Sequence, residues 1–203
     1  MNRIAYIDQR ETIRAFQTPP PLLEVVCQSD SGAIFGGRDD EYRYVLWRWL
    51  VSRQPLFWEA NHLAPTAVLF SMLNPSTADE KEPDQTLSSC KGLAKKWGGF
   101  ELLLLGNLYG YRTPSPRVLR DYDGDPIGPE NDMWLGEMAK LASRIVFAPG
   151  ADRMVKHNGR NEAVLRLLRD NASHRTDIVA LGPKARHPLY CPHDIEIRRI
   201  DAA

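Results

Sequence analysis

Cysteine is scarce in this chain: its 203 residues hold three, Cys27, Cys90 and Cys191, an odd number with no C-x-x-C spacing. That speaks against a disulfide framework and against a cysteine-built zinc site, and it implies a reducing, cytoplasmic setting. A chain of this length needs neither device, because it can bury about 70% of the surface that its unfolded form exposes. An excess of one charge is missing as well, with 26 Lys and Arg against 26 Asp and Glu. Proteins that hold nucleic acid by bulk electrostatics carry surplus basic residues, so any phosphate contact here has to be local. Long apolar runs are also absent: no window approaches the roughly 18 apolar residues of a membrane span, and Met1 to Asp8 contains no apolar leader core. No membrane partner is expected.

Several catalytic signatures are missing too. No G-x-x-x-x-G-K-[ST], G-x-G-x-x-G, G-x-S-x-G or H-E-x-x-H occurs. His62, His157, His174, His187 and His193 are scattered, and Cys191 has no visible basic partner and reads as a packed thiol. Neither a metal nor an organic cofactor is expected.

What is present is an alternation of strands and helices. Residues 1–30, with Thr18-Pro19-Pro20-Pro21, read as an N-terminal arm, and residues 31–203 as a single α/β domain. Residues 41–50 alternate aromatic or aliphatic side chains with arginines, which suits a half-buried strand better than a base-stacking platform. Apolar runs at 66–73, 100–105, 144–148 and 177–181 read as buried strands, and segments 84–97, from 128 onward, and 161–169 show helical spacing. This pattern predicts a three-layer α/β/α sandwich with a mainly parallel central sheet.

In such a sheet the ligand crevice lies beyond the carboxyl ends of the strands. The first strand is followed by Asn74-Pro75-Ser76-Thr77-Ala78-Asp79 and then Asp84. The second is followed by Asn107, Tyr109 and Arg112, the third by Gly150 and Asp152, and the fourth by Arg186-His187-Pro188-Leu189-Tyr190. Each of these also has a local use: Asn74 before proline suits a turn, and Ser76, Thr77, Asp79 or Asp84 suits a helix cap. Four polar segments on one sheet edge favour a binding site over four unrelated turns.

The strings Met72 to Asp79, Asp84-x-Thr86, Asn107-Leu108-Tyr109, Gly128-Pro129-Glu130-Asn131-Asp132 and Arg186 to Tyr190 resemble an uncharacterised family of bacterial and phage proteins, classed as a domain of unknown function. That likeness spans about residues 40 to 192 and brings no activity with it. More distantly, the order of strand-Asn-Pro, strand-Asn, Arg-x-Pro, a strand ending in Gly and a final His-Pro turn is similar to the uracil-DNA glycosylase superfamily.

The second resemblance implies a glycosylase-like fold and a set of roles. Asn74 would position the hydrolytic water or the base, with Asp79 or Asp84 assisting. Asn107 would read the base, although Leu103-Leu104-Leu105-Gly106-Asn107 carries one residue more than the Leu-Leu-Leu-Asn strand it resembles. Arg112 would contact phosphate, and His187 would stabilise charge on the departing base. Pro75, Ser76, Thr77, Tyr109, Arg186 and Tyr190 complete the expected binding residues.

The chain departs from the superfamily at Ser76, where the mismatch-specific branch has glycine, and it lacks an extended wedge after His187-Pro188. Two alternatives therefore stand, because one fold hosts many functions. In the first, the protein binds a nucleobase or nucleotide and hydrolyses or reworks an N-glycosidic bond in DNA or a nucleotide. In the second, it is a non-catalytic module that binds nucleic acid or a protein.

Overall fold

The computed structural model describes residues 3–6, 12–13, 19–52, 64–76, 85–192 and 194–200. Nine strands form one sheet: β1 Arg3–Tyr6, β2 Thr12–Ile13, β3 Ser31–Gly36, β4 Tyr42–Trp49, β5 Ala67–Met72, β6 Leu102–Asn107, β7 Ala142–Phe147, β8 Asp177–Leu181 and β9 Ile197–Arg199. The α-helices among the described residues are α1 Leu22–Val26, α2 Gln85–Trp97, α3 Pro116–Asp121, α4 Asn131–Leu141 and α5 Arg160–Asn171. The strand order is β2-β1-β3-β4-β6-β5-β7-β8-β9.

The fold is α/β, but the expectation of a mainly parallel sheet needs correction. Only the β6-β5-β7-β8 block is parallel. The ladders β1–β2, β1–β3, β3–β4, β4–β6 and β8–β9 are antiparallel. The physical reason lies in the connections. Between β3 and β4 the chain turns through a few residues, which permits only antiparallel neighbours, whereas β5 to β6 and β7 to β8 each cross over through a helix. Residues 3–6 pair with β3, and the buried Leu22, Val25 and Val26 of α1 join the core, so these parts of the N-terminal segment belong to the domain.

The central strands read as unbroken apolar runs because both of their faces are covered. Ala67 and Leu69, Leu102 and Leu104, and Ile145 and Phe147 share one core with Trp134, Leu135 and Met138 of α4 and Val164 and Leu168 of α5. Their neighbours Val68 and Phe70, Leu103 and Leu105, and Val146 pack on the other face with Cys90, Leu93 and Ala94 of α2. Those three α2 residues fall at the i, i+3, i+4 positions of one helix stripe. Trp97 closes this second core by stacking on Phe70 at 5.9 Å.

Gly106 interrupts the apolar run for a steric reason. A Cβ there would lie 2.5 Å from Met138 Cε and 2.9 Å from Leu135 Cδ2, so with any larger residue those two side chains of α4 would have to shift. On the other side of the sheet centre, β4 carries a bulge. Ile34 pairs with Val45 but Phe35 pairs with Arg43, which leaves Tyr44 as the extra residue. The aromatic rings of β4 are interior: Tyr44 and Trp47 are fully buried, and Trp47 and Trp49 donate their indole N–H groups to the Ser29 and Val26 carbonyls at 3.2 and 2.8 Å.

The topology also fixes where a crevice opens. From β5 the chain crosses to β6 on one side, with α2 between them, and from β7 it crosses to β8 on the other, with α5 between them. Divergent crossovers from neighbouring strands leave a gap beyond their carboxyl ends, between the loops that follow β5 and β7. The Ala148 N–H to Ser71 carbonyl bond, 2.8 Å, zips the two strands up to the rim of that gap.

Candidate functional site

A cavity of about 510 Å³ occupies the gap, within the range typical of small-molecule sites. Asn74 and Ser76 reach it from the β5 loop, Pro149 to Asp152 from the β7 loop, Lys184, Arg186, His187 and Tyr190 from the segment after β8, and Thr86 from α2. Thr113 to Pro116, leading into α3, form the remaining wall.

Asn74 is held by its amide nitrogen, which donates to the Pro75 carbonyl at 3.2 Å and to the Thr113 carbonyl at 3.1 Å. Two carbonyl partners can be met only by the NH₂ end, so the side-chain orientation is settled by the network. Its Oδ1 accepts no hydrogen bond from any described residue. The Thr113 N–H donates back to the Pro75 carbonyl at 3.0 Å, so two hydrogen bonds join the loop after β5 to the wall before α3. Ser76 Oγ is buried without a hydrogen-bond partner.

His187 opens a short 3₁₀ turn over Pro188–Tyr190, and its Nδ1 accepts from the Leu189 N–H at 3.4 Å. An accepting Nδ1 puts the proton of the neutral ring on Nε2, which makes that edge a donor. Gly150 lets the β7 loop approach this turn: at φ +83 its missing Cβ would lie 3.3 Å from His187 Cβ, and its N–H donates to the Ala185 carbonyl at 3.0 Å. Tyr190, 74% exposed, stands at the rim with its ring 6.0 Å from that of His187. Behind the turn, burial pushes the Cys191 thiol up, against a downward pull from Arg186, and Sγ donates to the His187 carbonyl at 3.4 Å. That is a packed thiol.

Asp152 is a carboxylate on the cavity wall, and both of its oxygens are engaged. Oδ1 accepts from the Met154 N–H at 2.9 Å, and Oδ2 pairs with Arg120 Nη1 of α3 at 3.0 Å. The pair ties α3 to the β7 loop across the site.

Five of the residues expected from the sequence thus converge on one cavity: Asn74, Ser76, Arg186, His187 and Tyr190. Pro75 sits behind it and supplies the carbonyl that anchors Asn74. Thr77, Asp79 and Asp84 lie outside the described residues.

Asn107, Tyr109 and Arg112 are placed elsewhere. Asn107 is buried at the end of β6 on the α2 face, because Gly106 takes the position directly after Leu105 and strand alternation turns the next side chain over. Its Oδ1 has no partner, and its carbonyl accepts from Asn131 Nδ2 at 3.0 Å. Tyr109 is a core residue whose hydroxyl donates to the Met154 carbonyl at 2.9 Å, and burial raises its pKa against the pull of Arg160. The Arg112 guanidinium packs 5.0 Å from the Phe35 ring centre and donates to the Asp40 carbonyl at 3.1 Å.

The Gly128 to Asp132 string also has a structural use. Asn131 Nδ2 braces the Asn107 and Leu108 carbonyls, while Asp132 pairs bidentately with the buried Arg160, whose Nε donates to the Leu108 carbonyl at 2.8 Å.

Thr113, Asp152 and Lys184 also line the cavity and are not among the binding residues expected from the sequence. The strand-end rule already pointed at the segments that carry them; what it could not supply is which side chains turn inward. Among the described residues no group of three His, Cys, Asp or Glu side chains could hold a metal ion, and no helix is long and apolar enough to cross a membrane.

Fold and cavity together define an α/β protein with a mixed sheet and a ligand-sized site at a topological switch point. Over residues 43–189 the sequence matches the family described as Protein of unknown function (DUF1643), and the chain belongs to that family. No curated protein and no solved structure matches it.

Proposed function

We propose that this protein binds a nucleobase or nucleotide in the cavity beyond β5 and β7, in the manner of a glycosylase-like three-layer α/β/α domain. The observation that carries the reading is the convergence of Asn74 and His187 on one cavity, each with its orientation fixed by a backbone hydrogen bond. Asn74 Oδ1 is an acceptor and His187 Nε2–H a donor, the pair of functions needed to meet a base edge or to steer a water. The walls are largely apolar, with Leu73, Pro114, Pro116, Pro149 and Ala151, which suits the faces of a planar heterocycle.

As an N-glycosidic hydrolase, the site would work by electrostatic positioning. Water oriented by Asn74 Oδ1 adds to the anomeric carbon, the carbon–nitrogen bond breaks, and the base departs with the bonding pair while His187 stabilises its charge. One proton from the water ends on the base. An amide orients water but accepts its proton poorly, so turnover is slow unless a carboxylate assists.

A second reading, binding without turnover, draws support from Asp152. Among the described residues, the carboxylate on the cavity wall is spent on Arg120 and on the Met154 N–H.

The test uses the full-length protein with free deoxynucleosides, deoxynucleotides and single-stranded oligonucleotides bearing uracil, mismatched or hypermodified bases, read by calorimetry and by release of free base. Binding that falls at least tenfold in both Asn74→Ala and His187→Ala supports the site. Base release beside that binding selects the hydrolase, and binding alone selects the module. Absence of any binding overturns both.

A further inference from the structure

Two exposed cations stand at the cavity mouth. Lys184 and Arg186 line the cavity and are exposed, and among the described residues neither side chain forms an ion pair or hydrogen bond. The less exposed Arg120, Arg160 and Arg144 are matched to Asp152, Asp132 and Asp177.

The turn that carries them is pinned. The Arg186 N–H donates to the Leu181 carbonyl at 2.9 Å, the Gly182 N–H to the Glu196 carbonyl at 2.8 Å, and the Ala185 carbonyl accepts from Gly150. Between the cations, Ala185 sits at φ +46, a left-handed conformation that costs an alanine energy because its Cβ crowds the carbonyl. Strain retained at a rigid turn, where it sets an ammonium and a guanidinium on one wall, fits a designed anion contact better than an incidental surface loop. Ser76, which also lines the cavity, has a buried Oγ without a hydrogen-bond partner.

We infer that Lys184 and Arg186 form a phosphate subsite, so that the ligand is a phosphorylated nucleoside unit with its base inside the cavity and its phosphate at the mouth. The inference rests on the proposed reading of the cavity as a nucleobase site. An ammonium beside a planar guanidinium matches the several acceptor oxygens of a phosphate. That phosphate is the terminal group of a free nucleotide or a linkage of a single strand; the chemistry at the subsite is the same.

The experiment measures the affinity of the full-length protein for deoxyuridine, its 5′-monophosphate and a five-residue oligodeoxyuridylate, repeated with the other three bases. It compares wild type with Lys184→Ala, Arg186→Ala and the double variant. A charge pair near 4 Å in water is worth about a fivefold change in affinity, so each single variant should weaken a phosphorylated ligand about fivefold, and the pair about 25-fold. Nucleoside binding should fall less than binding of the phosphorylated ligands, and thermal unfolding of each variant verifies that it folds. The advantage of the phosphorylated ligand should shrink as salt rises from 50 to 500 mM. A gain shown by the monophosphate assigns a free nucleotide, and a gain confined to the oligonucleotide assigns a strand. Equal affinity for nucleoside and phosphorylated ligands, or a preference that survives in the double variant, overturns the subsite and leaves the cavity reading standing. Failure of wild type to bind any of the three overturns both.

Discussion

Asn74 Nδ2 donates to the Thr113 carbonyl at 3.1 Å, joining two loops that are 39 residues apart in the chain. The bond makes one wall of the cavity a continuation of the other. Replacing Asn74 by Asp keeps the size but puts a carboxylate oxygen against two backbone carbonyls. Asn74→Asp should therefore lower stability by about 1–3 kcal/mol, while Asn74→Ala costs less and empties the acceptor position. Thermal unfolding beside ligand titration separates the two effects.

Asp152→Asn keeps an oxygen for the Met154 N–H and removes the charge that offsets Arg120. The cavity then gains one net positive charge. Anionic ligands should bind several-fold tighter, at a stability cost under about 1 kcal/mol because the pair is partly solvated. If Asp152 instead acted as the base of a hydrolysis, the same variant would abolish base release, so affinity and product measured together decide its role.

Gly106→Ala should be destabilising by about 1–3 kcal/mol through overpacking against Met138 and Leu135. The companion variant Met138→Ala, harmful alone, should recover part of that loss, because the added methyl enters the space it vacates. A double-mutant cycle by urea unfolding measures the coupling, and additive costs would contradict the contact.

Asp177 gives the acid limb a defined contributor. Burial raises its carboxyl pKa, but hydrogen bonds and charge from Arg144 and Arg199, at 3.3 and 2.5 Å, outweigh that and hold it below 3.8. A lowered folded-state value means stability that is complete above pH 3.8 and lost as pH falls below it toward the folded value. Asp177→Asn should be less stable than wild type at pH 6 by under about 1 kcal/mol, and the gap should narrow near pH 3. Parallel melting curves at the two pH values show whether it does.

The parallel half of the sheet was legible because β5, β6, β7 and β8 each bury both faces and so spell apolar runs. The antiparallel half was harder to see. In β3 the string Ser31-Gly32-Ala33 has small side chains and little strand propensity, and it is a strand because it lies between β1 and β4. In β9, Arg198 and Arg199 look like surface chain, and only the ladder to β8 makes them strand. Site residues divided on similar lines. Those on loops directly after a strand, Asn74 and His187, could be placed by topology alone. Tyr109 looked available until a hydroxyl partner 45 residues away, Met154, accounted for it. Asn107 follows Gly106 at the end of β6 and is buried there, which the apolar run before it does not disclose.

The cavity has a kinetic meaning as well. Its walls come from residues 74–76, 113–116, 149–152 and 184–190, so it exists only after loop closures spanning more than half of the chain. Contacts of such sequence separation form late and limit the folding rate. A partly folded chain with a finished β5–β6 hydrophobic pair would still have no binding site. Ligand would engage only the completed fold, and by mass action would stabilise it against every earlier species.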